Sequence, residues 1–317
     1  MHRRIGQYVV YLAVRISICL LQAIRIETAA RVADVMARLF CDLLRVRRAV
    51  VDENLRHAFP KLSPEQRHTL ARQMWRHLFL LVAEVAQAPR KVHETNWRHY
   101  IRLRDADRLV RVLLEERPTL VVSAHFGNFE LAGYVLGVLG FPTYTVARTL
   151  DNPYLDGFVN RFRGATGQHM LPKRGGYDRI VEVLSGGGTL VFLADQYAGS
   201  KGCWVEFFDR PASAHKAIAL LALTHEAPLA VGSNRRLDRP LRYELAIEGV
   251  ADPRQDSEIL ETPARLTQWY TTKLEAAVRR DPTQYWWLHR RWKDRRPIKR
   301  SRASLVPTAP TTPSPGR

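Results

Sequence analysis

From residue 98 onward the chain alternates short apolar runs with amphipathic stretches, and this alternation leaves few folds open to it. The runs are Thr119–Ala124, Thr143–Ala147, Thr189–Ala194 and Pro228–Gly232, with helical patterns near 105–115, 128–139, 152–166, 176–185 and 213–225 between them. Strands separated by helices of this length pair in parallel, so the expected fold is α/β, a largely parallel central sheet sandwiched by helices. Tyr243–Glu248 reads as a later strand open to antiparallel pairing, and Thr262-Pro263 caps a last long helix. Upstream, residues 28–58 read as helical until Pro60 interrupts. Ser63-Pro64-Glu65-Gln66 then has the form of a capping box, with Pro at the first helical position. Three segments are expected: a membrane-associating N-terminal helix over 1–26, one α/β domain over 27–296, and a disordered basic, Pro-rich tail over 297–317.

Residues 5–24 are mostly apolar, follow the basic Arg3-Arg4 and end at Arg25. A membrane span needs about 20 apolar residues, and Arg15 stands in the middle of this stretch. A central Arg costs roughly 2.5–3.5 kcal/mol on insertion scales. The segment fits a tilted marginal span or a helix lying in the interface, with a buried core helix as the bland alternative. Arg15 also breaks the apolar region that a cleaved signal peptide requires. Forty-nine Lys+Arg against 31 Asp+Glu give a net charge of +18. That field favours nucleic acid, an anionic membrane surface or an acidic substrate, but no zinc finger, RNP motif or helix-turn-helix pattern accompanies it, so nucleic acid is not an expected partner. Cys19, Cys41 and Cys203 are scattered, with neither disulfide nor metal-ligand spacing. No metal and no cofactor is expected.

In α/β sheets, function gathers beyond the C-terminal ends of strands. Here those ends read Ala124-His125-Phe126-Gly127-Asn128-Phe129-Glu130 and Ala194-Asp195-Gln196. His125 and Glu130 are five apart, too far to share a helix face. With His125 on the strand-to-helix turn and Glu130 one turn into the helix, the carboxylate can return to the imidazole. Such a pair suits a general base, the acid fixing the tautomer while the other ring nitrogen takes a proton from a hydroxyl. Backbone N–H groups at the helix start are candidate oxyanion donors. A structural His bonded to the helix start is the commoner explanation of an isolated HxxxxE, since the pattern arises often by chance. No GxSxG elbow supports a serine acyl-enzyme, and Gly186-Gly187-Gly188 lacks the Lys-Ser/Thr of a P-loop.

AHFGNFELAG resembles the HxxxxE/D signature of the bacterial lipid A biosynthesis (late, or secondary) acyltransferases. Asn54–Pro60, Arg148–Pro153, the stretch from Ala194 through Phe208 to Ala212, and Gln284–Lys293 resemble further segments of that family in order. Thr149, Ala147 and Glu206 depart from its pattern. The resemblance implies an acyltransferase on the cytoplasmic face of the inner membrane. It would move a fatty acyl group from acyl carrier protein, or from acyl-CoA, to a hydroxyl of a phosphorylated glycolipid such as a lipid A precursor. Another glycolipid or a lysophospholipid is the alternative acceptor. Carried over by position, His125 is the base and Glu130 its partner. Arg148, Asn152, Asp195, Gln196 and Arg174 are the substrate-binding residues. The basic run Arg290, Arg291, Lys293 and onward, beside Trp286, Trp287 and Trp292, is read as a membrane-facing, carrier-facing or solvated patch.

Overall fold

The computed structural model describes residues 2–293 apart from 116, 174 and 257, so the expected tail lies outside the described residues. The chain begins with helices α1 (His2–Ala23), α2 (Ile26–Arg38), α3 (Arg48–Ala58) and α4 (Pro64–Lys91). The helical pattern read over 28–58 is broken between α2 and α3 by one π-helical turn and by Arg45 and Arg47, both with positive φ. Ser63 begins α4 as its spacing predicts, with both capping-box bonds formed and Pro64 in the first turn.

The α/β part follows as β1 (Ile101–Arg104), α5 (Asp107–Leu114), β2 (Thr119–Ser123), α6 (Phe129–Val138), β3 (Thr143–Ala147), α7 (Pro153–Gly164), β4 (Gln168–Pro172), α8 (Tyr177–Ser185) and β5 (Thr189–Leu193). A hairpin of β6 (Cys203–Phe207) and β7 (Arg210–Ala214) precedes α9 (Lys216–Thr224), β8 (Leu229–Arg236), β9 (Tyr243–Ala251) and α10 (Pro263–Arg280). Seven strands form one sheet in the order β1-β9-β8-β2-β5-β3-β4. All neighbours pair in parallel except β8 and β9, so the expected α/β class and the late antiparallel strand are both found.

β2 lies at the centre and is buried along its whole length, as a continuous apolar run in a two-sided sheet should be. Leu120 and Val122 face one large core shared with α9 and α10, while Val121 faces Leu109, Val112 and Ile247 on the other side. The order places the C-terminal ends of β8, β2, β5, β3 and β4 along one edge. The turns after β2 and β5 are therefore neighbours, which brings His125 and Asp195 together although they stand 70 residues apart in sequence.

A candidate active site at the ends of β2 and β5

The turn after β2 is built around Gly127. Its φ is +59°, and an added Cβ would sit 1.8 Å from the Asn234 carbonyl oxygen, so only glycine fits there. The chain is pinned on both sides. The N–H groups of Gly127 and Asn128 donate to the Gln284 and Asn234 carbonyls at 2.9 and 3.0 Å, and Trp286 N–H donates to the His125 carbonyl at 2.9 Å. Asn128 starts α6, its side-chain oxygen accepting from Leu131 N–H at 3.1 Å.

Below this turn lies a buried polar network. Arg236 makes a two-pronged ion pair with Glu84, at 2.8 and 2.5 Å, and its Nη1 donates to His77 Nδ1 at 2.7 Å. His77 Nε2 in turn donates to the Gly127 carbonyl at 3.1 Å. Burial, and then the Arg236 charge, hold the His77 pKa well below the ordinary histidine value, which keeps that ring neutral and able to accept on one side and donate on the other. Tyr243 closes the network with bonds to Glu84 and Asn128.

His125 Nδ1 donates to Asp195 Oδ1 at 2.8 Å, and the His125 backbone N–H donates to Oδ2 at 3.1 Å. The carboxylate is nearly inaccessible, at 4% side-chain exposure against 17% for the imidazole. The buried Tyr285 hydroxyl also bonds to Asp195. Burial is the largest influence on His125 and disfavours its charged form, but the Asp195 charge and hydrogen bond, helped by Glu130, outweigh it and raise the pKa. Burial likewise works against the Asp195 carboxylate, yet His125 lowers its pKa. Nε2 of His125 is directed outward, with the Gln196 side-chain nitrogen 3.4 Å away. Phe129 and Trp286 stand edge-on to the imidazole at 5.0 and 5.7 Å between ring centres.

From this histidine extends a cavity of about 870 Å³ lined by residues of α5, α6, α8 and α9 and of the strands, Leu109, Leu136, Ile180, Val191, Leu221 and Ile247 among others. Its His125 end also carries Glu130, Arg163 and Gln196. Most of the lining is apolar, with Gln168, Lys173, His215 and His225 as further polar groups, a composition that suits a site for a long hydrocarbon.

A model of the bacterial lipid A biosynthesis acyltransferases matches residues 1–294. The chain belongs to that acyltransferase family. Its relatives include the lipid A biosynthesis palmitoleoyltransferase of Escherichia coli, 29% identical over 82% of each chain. The lauroyltransferase of the same organism is 24% identical over 82% of this chain and 83% of that one. A lipid A biosynthesis acyltransferase of Haemophilus influenzae is 24% identical over 78% of each.

Within this acyltransferase the expected residues separate into groups. His125, Asp195 and Gln196 meet. Glu130 lies near enough to act on His125 electrostatically, but it is not the imidazole's hydrogen-bond partner. It is held by Arg163 of α7 at 2.6 and 3.1 Å, and the place read for it beside Nδ1 belongs to Asp195. Arg148 lines the cavity while its guanidinium, 77% exposed, pairs with Asp151 at 2.8 Å. Asn152 does not reach the cavity. It caps α7 through Tyr154 and Leu155 N–H, and its amide donates to the Gln7 carbonyl at 2.7 Å. Arg174 lies outside the described residues. The turn's oxyanion donors are also fewer than expected, because Gly127 and Asn128 N–H are engaged; Phe129 and Glu130 N–H remain in the first turn of α6.

In the C-terminal basic and aromatic stretch Trp286, Arg290 and Lys293 are exposed, and its residues from 294 onward lie outside the described residues. Trp287 and Arg291 are buried, and Arg291 Nη1 donates to the Ser213 carbonyl at 2.5 Å. Asn54 donates to the Trp287 and His289 carbonyls, each at 2.7 Å, and His289 Nε2 accepts from Tyr197 N–H at 2.9 Å. Burial drives the His289 pKa down to about 4, so it stays neutral and holds the loop after Asp195. These residues wrap beneath the site and hold it in place. Away from it, Cys41, Asp42 and His68 offer ligand atoms within 4.8 Å of one another. Burial and Asp42 push the Cys41 thiol up to about 11.

Proposed function

We propose that this acyltransferase moves a fatty acyl group from acyl carrier protein to a hydroxyl of a lipid A precursor, with His125 as general base. The single observation that carries this reading is the His125–Asp195 pair at the opening of a long apolar cavity, in a chain of the lipid A acyltransferase family. Asp195 holds the proton on Nδ1, leaving the Nε2 lone pair free to take one from the acceptor hydroxyl. That oxygen would enter where the Gln196 amide now approaches Nε2 and attack the thioester carbonyl. The carbonyl oxygen gains charge near the Phe129 and Glu130 N–H groups at the start of α6. Collapse of the adduct forms the ester and expels the thiolate, which recovers the proton held by His125.

In this reading the cavity receives the acyl chain, and the Arg163–Glu130 pair shapes its opening. Arg148 meets a substrate phosphate by exchanging Asp151 for it. The helix α1 is long and apolar enough to cross a membrane and associates the enzyme with the inner membrane, the catalytic part on the cytoplasmic side where acyl carrier protein is found.

Expression of wild-type and His125→Ala protein in a Gram-negative host lacking its own late acyltransferases tests this, read by mass spectrometry of extracted lipids. The expected result is a one-acyl mass gain on lipid A with wild type alone. A gain on a different lipid would replace the acceptor and keep the mechanism, and a gain with both proteins would remove His125 from it.

A further inference from the structure

Helix α1 presents two unlike faces. At 100° per residue, Ile5, Val9, Leu12, Ile16 and Leu20 form one stripe, and all five are exposed. The opposite stripe is docked. Gln7 Nε2 donates to the Asp151 carbonyl at 3.0 Å, while the Gln7 carbonyl accepts from Asn152 Nδ2 at 2.7 Å. Tyr8 and Tyr11 pack on Tyr154 with ring centres 5.2 and 6.1 Å apart. Arg15, the charge that argued against a membrane segment, belongs to this docked stripe, its guanidinium carbon 4.9 Å from the Phe158 ring centre. At the far end of the helix Gln87 of α4 donates to the Leu21 and Ile24 carbonyls at 2.8 and 3.1 Å. The helix is therefore bolted to the catalytic domain at both ends.

One of those joints meets the cavity rim. Asp151, whose carbonyl holds Gln7, is the ion-pair partner of Arg148, and Arg148 lines the cavity. We propose that α1 is a rigid mount seated in an anionic phospholipid surface, and that the Gln7–Asn152 joint makes Asn152 a positioning residue that holds the Arg148 rim at the level of the lipid headgroups. The exposed stripe carries no charge along a helix of 22 residues, and Arg3, Arg4 and Arg25 flank it, the arrangement that suits acyl chains bordered by anionic headgroups. A lipid acceptor is then presented to His125 without leaving its membrane. This inference rests on the acyl-transfer reading above for its substrate, and on the geometry of the joint for everything else.

Asn152→Asp separates the two roles of that side chain. Aspartate still caps α7, but it replaces the amide donor with an oxygen facing the Gln7 carbonyl. The test compares wild type and variant on phosphatidylethanolamine–phosphatidylglycerol vesicles and in detergent micelles, each carrying a lipid A precursor as acceptor, with acylated acyl carrier protein as donor. Hydrogen exchange over residues 149–157 is followed on the vesicles. The expected result is unchanged vesicle binding, faster exchange in that segment, and a loss of about tenfold or more in vesicle turnover with micellar turnover nearly kept. Equal loss in both media, or none, would overturn the mount. If wild type transfers no acyl group in either medium, the acyl-transfer reading fails separately; the joint is then judged by exchange alone, and an unchanged rate in the variant overturns it.

Discussion

Replacing His125 with Ala is expected to slow acyl transfer by about 10²–10⁴-fold, the usual contribution of a positioned general base. The protein should remain folded, because the side chain's hydrogen bonds run to the site and not to the core. Its imidazole meets Asp195 and Gln196, whereas the turn itself is held by backbone bonds to Gln284, Asn234 and Trp286. The loss should therefore appear in turnover, with near-unchanged circular dichroism. The variant leaves the Asp195 carboxylate buried without the imidazole's charge and hydrogen bond, so a fall in melting temperature above the carboxylate's pKa is part of the expectation. A variant that kept wild-type turnover would show that the pair is structural.

The largest stability effect is expected at Arg236. Changing it to Met leaves Glu84 inaccessible to solvent, with its compensating charge removed. Breaking a buried ion pair by deleting one partner costs about 3–5 kcal/mol. In a chain of 317 residues that lowers the melting temperature by roughly 4–8 °C. The damage should spread to activity, because Arg236 also orients His77, whose other nitrogen holds the Gly127 carbonyl. Replacing Glu84 and Arg236 together by apolar residues should recover part of the loss, since no lone charge is then buried. Thermal melts of the two singles and the double decide the point. Additive losses would mean that the two residues do not act as a pair.

What the sequence made legible follows from what neighbouring residues can reveal. The central strands were readable because a strand buried on both faces must be continuously apolar, as β2 is. The α4 boundary was readable because a capping box is a local event. The edge strands β1 and β4 went unread: Gln168–Pro172 carries a His and a Pro among apolar residues, which only an edge position tolerates. The hairpin β6–β7 was partly absorbed into the helix read over 213–225, because Ala and Ser in β7 have no strand signature of their own.

The site divides along the same line. His125 and Asp195 were found because each follows a strand end. The pairing of His125 with Glu130 rests on their spacing and on the resemblance to the HxxxxE/D signature, whereas the sheet order puts β5 beside β2 and gives Nδ1 to Asp195. Arg163, 33 residues beyond Glu130, then takes that carboxylate. Asn152 stood in a motif and was read as a ligand contact; its function in the fold is a cap and a joint to α1. His77, Glu84 and Arg236 were missed altogether. The available signal is His77 and Glu84 among the apolar residues of α4 and Arg236 at the end of β8, but only the fold shows that they meet.

The most direct test of His125 as the base is the pH dependence of acyl-transfer rate for wild type and Asp195→Asn. A general base works only when neutral, and its pKa here is raised above the ordinary 6.5 because Asp195 outweighs burial. The wild-type rate should therefore rise with pH along a limb whose midpoint lies above 6.5. In Asp195→Asn the charge is gone and burial remains, so the limb should move to lower pH while the plateau falls. A limb that stays in place after the substitution would contradict the account.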